Sequence, residues 1–67
     1  RLLSVDTEKK VLRFQEIRTV FFSGQPPAKE WEHPYSLDWA DEKFFDFVGK
    51  AVDYVLSDGK VASLKSA

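Results

Sequence analysis

His33 is the single histidine and cysteine is absent, so acid–base or nucleophilic chemistry would have to be assembled around one imidazole and the carboxylates near it. Glu30, Glu32, His33 and Asp38 are the nearest such set. A divalent cation is the ligand they would take, but their spacing follows no established metal pattern, and a solvated acidic loop accounts for them. A serine nucleophile of the hydrolase kind needs a G-x-S-x-G elbow, which the chain lacks. Gly24, Gly49 and Gly59 are too widely separated to form a phosphate-cradling loop. No catalytic residue, metal ligand or cofactor is assigned, no small-molecule substrate is expected, and the chain reads as non-enzymatic.

Recognition is the chemistry that remains. The 67 residues are 43% hydrophobic and 31% charged, which is too apolar for disorder and enough for one small domain spanning residues 1–67. A core this small supplies about 3–5 kcal/mol on its own, and without cysteine the supplement must come from dense packing or from association. Six phenylalanines, two tryptophans and two tyrosines are available for either purpose.

Charge divides the chain. The net charge of −1 argues against a dedicated polyanion binder, yet Lys9, Lys10, Arg13 and Arg18 lie near Phe14 in a first third that nets +2. A two-stranded ribbon with those cations fits along a nucleic-acid backbone, which makes a small nucleic-acid-binding protein the alternative reading. Residues 38–58 net −4, and such a surface suits a basic protein patch or imitates a phosphate backbone, as an acidic-helix inhibitor of a nucleic-acid enzyme would. No apolar run approaches the roughly 20 residues that span a bilayer, and no signal peptide opens the chain. A soluble, cytoplasmic protein with no membrane partner is expected, and a start at Arg1 in place of methionine reads as a piece or a processed product.

The elements that would position these groups follow from periodicity. At helical spacing Val11, Leu12, Phe14, Ile17, Val20, Phe21 and Phe22 scatter round the whole circumference. Residues 1–22 therefore read as a β-hairpin, with Leu3 and Val5 on one face, a glycine-free turn through Asp6, Thr7, Glu8 and Lys9, and a long second strand from Val11 to Phe22. The apolar parity changes within that strand, which predicts a bulge or bend near Gln15 and Glu16, and Val20–Phe22 reads as a strand end covered on both faces. Residues 23–35, with Gly24, Pro26, Pro27 and Pro34, read as a connector that excludes helix and central strand. Residues 36–59 read as one long helix, about 37–57, capped by Ser36 or Asp38, with Asp41 and Glu42 in its first turn and Gly59 after its end. Phe44, Phe45, Val48, Ala51, Val52 and Val55 would form its core face, while Glu42, Asp46 and Asp53 would face water. Residues 60–67 are left as a tail.

The fold class expected is α+β, a small antiparallel sheet packed on one long C-terminal helix. Phe47 and Tyr54 then stand one above the other on a helix flank that a two- or three-stranded sheet hardly covers. Clustered aromatics dominate binding energies, so these two are the first candidate protein-binding residues, with Trp31, Tyr35 and Trp39 as a second patch. The function expected is a protein-protein interaction module, adaptor or regulatory subunit, its partner another protein or a second copy in a homo-oligomer.

Overall fold

The computed structural model describes residues 1–18 and 20–67 and is built mainly of strands. In chain order these are β1 (Leu2–Asp6), β2 (Val11–Gln15), β3 (Glu30–Pro34), the short helix α1 (Asp41–Phe45), β4 (Val52–Ser57) and β5 (Lys60–Ser66). β1, β2 and β3 form a three-stranded sheet in that order, and β4 with β5 forms a two-stranded sheet, every pairing antiparallel.

The β1–β2 turn is held by its first residue. Asp6 Oδ1 accepts the amides of Glu8 and Lys9 at 3.1 and 3.0 Å, a local arrangement that aspartate offers readily. Lys10 closes the loop with φ 56. In register, Leu2 faces Phe14 and Val5 faces Leu12, while Ser4 faces Arg13. Leu2 and Val5 are three residues apart, so they share the inner face only because Leu3 is bulged out of the ladder. The irregularity therefore sits in β1, not near Gln15 and Glu16, and Leu2 replaces Leu3 as the fully buried residue. The second strand stops at Gln15 and does not reach Phe22.

Residues 23–35 are not connector throughout. Glu30–Pro34 pairs with β2 as an edge strand, putting Trp31 opposite Phe14 and His33 opposite Leu12. Pro34 is tolerated because it ends a strand at the margin of the sheet.

The long helix over 37–57 is absent, and with it the α+β architecture and the acidic helix. Helical hydrogen bonding covers Asp41–Phe45 and gives way to tighter turns, with Phe47, Val48 and Lys50 donating to Phe44, Phe45 and Phe47. Gly49 has φ +86 and cannot belong to a continuing right-handed helix. Its amide instead donates to Leu2 O at 2.8 Å, and Leu2 donates to Lys50 O at 3.1 Å, stitching the turn to the edge of β1. Neither Ser36 nor Asp38 caps the helix; the N-cap position is Ala40, without a side-chain bond.

Beyond Gly49, Val52, Tyr54 and Val55 supply β-branched and aromatic strand formers. Asp58 and Gly59 have φ 52 and 77, so the two-residue loop between Ser57 and Lys60 is a type I′ turn, the form whose twist matches that of a hairpin. Gly59 thus ends no helix, and the supposed tail is β5. Ala62 is the extra residue here, since Val55 faces Ser63 while Leu56 faces Val61, which brings Val61 and Leu64 to the same inner face.

The core lies between the two inner faces. Leu2, Leu12 and Phe14 from one sheet meet Val61 and Leu64 from the other, with Tyr35 and Phe44 closing one end. Of the face expected for the helix, Phe44 alone is buried, and Phe45 and Val55 are exposed at 55% and 61%.

The turn assignment sets a stability test. No atom lies within 4 Å of a Cβ added at Gly59, so substitution there acts through φ alone. Gly59→Val is expected to lower the unfolding free energy by about 1–2 kcal/mol, and Gly59→Asn by clearly less, both read from urea midpoints. Equal losses for the two would contradict a left-handed position.

Candidate functional site

The aromatic residues singled out from the sequence fall into two clusters, and Phe47 and Tyr54 do not meet. Tyr54, on β4, stacks on Phe14 with centroids 4.4 Å apart and planes inclined by 23°. Trp31 flanks the same ring at 6.1 Å and donates its indole Nε1–H to the Tyr54 hydroxyl at 2.9 Å. His33 completes the group at 5.5 Å from Tyr54. The second cluster is built on Phe44, with Tyr35 at 4.6 Å and Trp39 at 5.0 Å. Phe47 stacks on Trp39 at 5.7 Å, and Lys43 Nζ lies 4.2 Å from the centre of the same indole. Tyr35 is buried, and desolvation, reinforced by the Asp41 and Asp6 charges, raises its pKa. Phe14 and Phe44 belong to the core and Tyr54, Trp39 and Phe47 pack against it, while Trp31 is 37% exposed.

The cations of the first third are distributed between protein acceptors and solvent. Arg13 projects from the outer face of β2 between Glu30 and Glu32, which occupy one face of β3 two residues apart. Its Nη2 lies 3.0 Å from Glu30 and its Nη1 2.5 Å from Glu32, and the Glu30 hydrogen bond leads the effects that raise its pKa. Arg18 donates to Glu16 at 2.7 Å and to the carbonyls of Pro26 and Pro27. Lys9 and Lys10 stand exposed in the β1–β2 turn. Two of the four cations proposed for phosphate contact are therefore already matched to acceptors, which weakens a nucleic-acid footprint. Among the described residues, no three His, Cys, Asp or Glu side chains are grouped to hold a metal ion, and no helix is long and apolar enough to cross a membrane.

The feature that sequence reasoning missed is the arm joining β2 to β3, described at residues 16–18 and 20–29. At its base Glu16 donates to Lys29 O at 2.8 Å, prolonging the ladder by one bond. At its tip Gln25 donates to Phe22 O at 3.3 Å across Ser23 and Gly24, and Gly24 has φ +81, as the third residue of a type II turn requires. Gln25 also donates its side-chain amide to Val20 O at 3.2 Å. Between base and tip, the Arg18 guanidinium joins one side of the arm to the proline carbonyls of the other. The Arg18 hydrogen bond is also the main reason the Glu16 carboxyl titrates below its usual range.

This backbone presents Val20, Phe21 and Phe22 to solvent at 68%, 78% and 64% exposure, with Ile17 at 54% behind them. The expected covered strand end is thus an exposed apolar run. An open groove of about 470 Å³ lies under it, lined by Arg1, Ile17, Arg18 and Phe21 among others. The signal available in the sequence was a turn-forming Ser23-Gly24 and a Pro26-Pro27 pair directly after three apolar residues, which place those residues on a loop.

Compared with known protein families, curated proteins and solved structures, the chain matches none.

Two measurements follow from this geometry. Tyr54→Phe removes the bond from Trp31 and is expected to cost about 0.5–1.5 kcal/mol, whereas Tyr54→Ala also removes the stack and is expected to cost about 3 kcal/mol; urea unfolding followed by tryptophan fluorescence distinguishes them. The lowered Glu16 pKa sets the sign of a pH effect. Its contribution is complete above the ordinary glutamate value of about 4.3 and disappears as pH falls through the lower folded-state value. Hydrogen-exchange protection of the Gln25 amide should decline over that acid range in the native sequence and lose this dependence in Glu16→Gln.

Proposed function

We propose that this chain is a non-enzymatic protein-binding module whose contact surface is the β2–β3 arm. The observation that carries the reading is the run Val20–Phe22, apolar and well over half exposed on a backbone fixed at base, middle and tip. Exposed aromatics on a pre-ordered segment lose little conformational entropy on docking and supply most of an interface's energy when they enter a pocket. Cations lie near the base: Lys29 ends the arm and Arg1 lines the groove beneath it, while Arg18 is held by Glu16 and the proline carbonyls. The partner these features suit is a folded protein with an apolar pocket rimmed by carboxylates, and an adaptor or regulatory subunit is the role that follows. Tyr35, Trp39, Phe47 and Tyr54 serve the core in this reading, in place of the flank first assigned to Phe47 and Tyr54, and Trp31 stands 37% exposed beside Phe14.

Proteins recovered with the chain as bait can be purified and titrated against the native sequence and a Phe21→Ser, Phe22→Ser variant. The variant is expected to bind roughly tenfold or more weakly with its fluorescence-detected unfolding unchanged. Equal affinities for the two chains, or no purified protein that binds the native chain, would overturn the assignment.

A further inference from the structure

β4 is the strand whose outer edge is least protected, with the Asp53 carboxylate as its one charge. A strand edge carries a row of N–H and C=O groups ready to pair with another chain, and folded proteins blunt such edges with bulges, prolines, lysines or covering segments. β1 has the bulge at Leu3 and the backbone bonds from Leu2 to Gly49 and Lys50. β3 has Glu30, Glu32 and a terminal Pro34. β5 carries Lys60 and Lys65, and Tyr35 and Ser36 lie along it through the Tyr35–Val61 bridge and the bond from Ser36 to Val61 O. β4 pairs with β5 on one side, and among the described residues no backbone hydrogen bond reaches its other side. Its sequence, Val-Asp-Tyr-Val-Leu-Ser, has no proline or lysine, and its extra residue lies across the ladder in β5. Val55 and Leu56 are exposed there at 61% and 44%.

We infer that β4 pairs antiparallel with β4 of a second copy of this chain, about a two-fold axis passing through Val55. Opposed residues in an antiparallel pair point to the same face, so a symmetric pairing must be centred on a residue that faces its own copy. Centring on Asp53 sets two carboxylates against each other, which is destabilising. Centring on Tyr54 sets Asp53 against Val55. Centring on Val55 gives a Val55–Val55 contact, Asp53 opposite the Ser57 hydroxyl, and Tyr54 opposite Leu56, so these three apolar side chains meet apolar ones and the Asp53 carboxylate meets a donor, with Val52 at the end of the pairing. The pairing joins two two-stranded sheets into a four-stranded one and leaves the Val20–Phe22 arm uninvolved. A single strand edge buries less than a standard interface, so the dimer is a weak, concentration-dependent one.

The test is a charge exchange at the axis. Val55 is exposed on the outer face, so Val55→Lys and Val55→Glu should each retain the native circular dichroism. In sedimentation velocity the native chain is expected to dimerise with concentration, each variant to dimerise roughly tenfold more weakly, and an equimolar mixture of the two to recover the association as a heterodimer. A native chain that stays monomeric to its solubility limit, or a mixture no tighter than either variant alone, would overturn the pairing. The Phe21→Ser, Phe22→Ser chain should dimerise like the native one. If that variant is monomeric the contact runs through the arm and the β4 pairing is wrong, whereas loss of partner binding with dimerisation intact concerns the arm alone.

Discussion

The stack of Phe14 on Tyr54 is the contact on which the rest of the molecule depends. Phe14 lies on the central strand of the larger sheet and Tyr54 on the smaller one, so their rings join the two sheets through their side chains, beside the backbone bridge from Tyr35 to Val61. An isolated two-stranded hairpin is at best marginally stable in water, and β4–β5 becomes an element of the fold by laying Tyr54, Val61 and Leu64 against its neighbour. Trp31 strengthens the joint at its polar end by donating to the Tyr54 hydroxyl, which lets an aromatic with a polar tip sit at the margin of a small core. These rings are attractive as binding residues when read from the sequence, and the fold uses them to hold itself together.

Two bulges make that joint possible. The apolar pairs Leu2 with Val5 and Val61 with Leu64 are each spaced three apart, a helical interval that a regular strand would split between opposite faces. Leu3 in β1 and Ala62 in β5 each absorb one residue, so both pairs turn inward. The same device keeps Ser4 and Asp6 outward with Arg13, where the ion pairs to Glu30 and Glu32 tie β2 to β3 across the solvent face. Such exposed pairs contribute little stability, but their alternation with Trp31 and His33 specifies the register of β3, since a slip by one residue would bury the glutamates.

The limits of sequence reading here have the same physical origin. The turn at Asp6–Lys10 is legible because a carboxylate able to accept successive amides stands between two β-prone runs. The second half is not legible from periodicity, since Phe44, Val48, Val52 and Val55 fall at helical intervals whether or not a helix runs through them. Backbone chemistry decides the matter: Gly49 and Gly59 both adopt positive φ, and an Asp-Gly pair between apolar runs is a stronger hairpin signal than a helix end. The aromatic candidates were legible as a clustered set, but clustering does not say whether a ring faces a partner or the core. Among the described residues Tyr35 is buried and Trp39, Phe47 and Tyr54 pack against the core, which takes most of these rings first. The Val20–Phe22 run escaped notice because continuing β2 past Gln15 supplied it with an imaginary cover.

The arm then poses the question of why its aromatics do not collapse onto the nearest apolar surface, which the hydrophobic effect favours. The groove that Phe21 lines, reaching Arg1 and Ala51, is open to solvent and leaves the ring 78% exposed. Arg18 supplies the geometric reason. Its guanidinium spans the arm from Glu16 to the carbonyls of Pro26 and Pro27, and the two prolines fix φ where those carbonyls are presented. A lysine has three donors on a single rotating ammonium but no planar fork to hold three acceptors in fixed directions. The cation that looked like a phosphate contact is therefore better understood as a strut: it uses its charge internally, and by stiffening the loop it keeps Phe21 and Phe22 in water, where an external pocket can reach them.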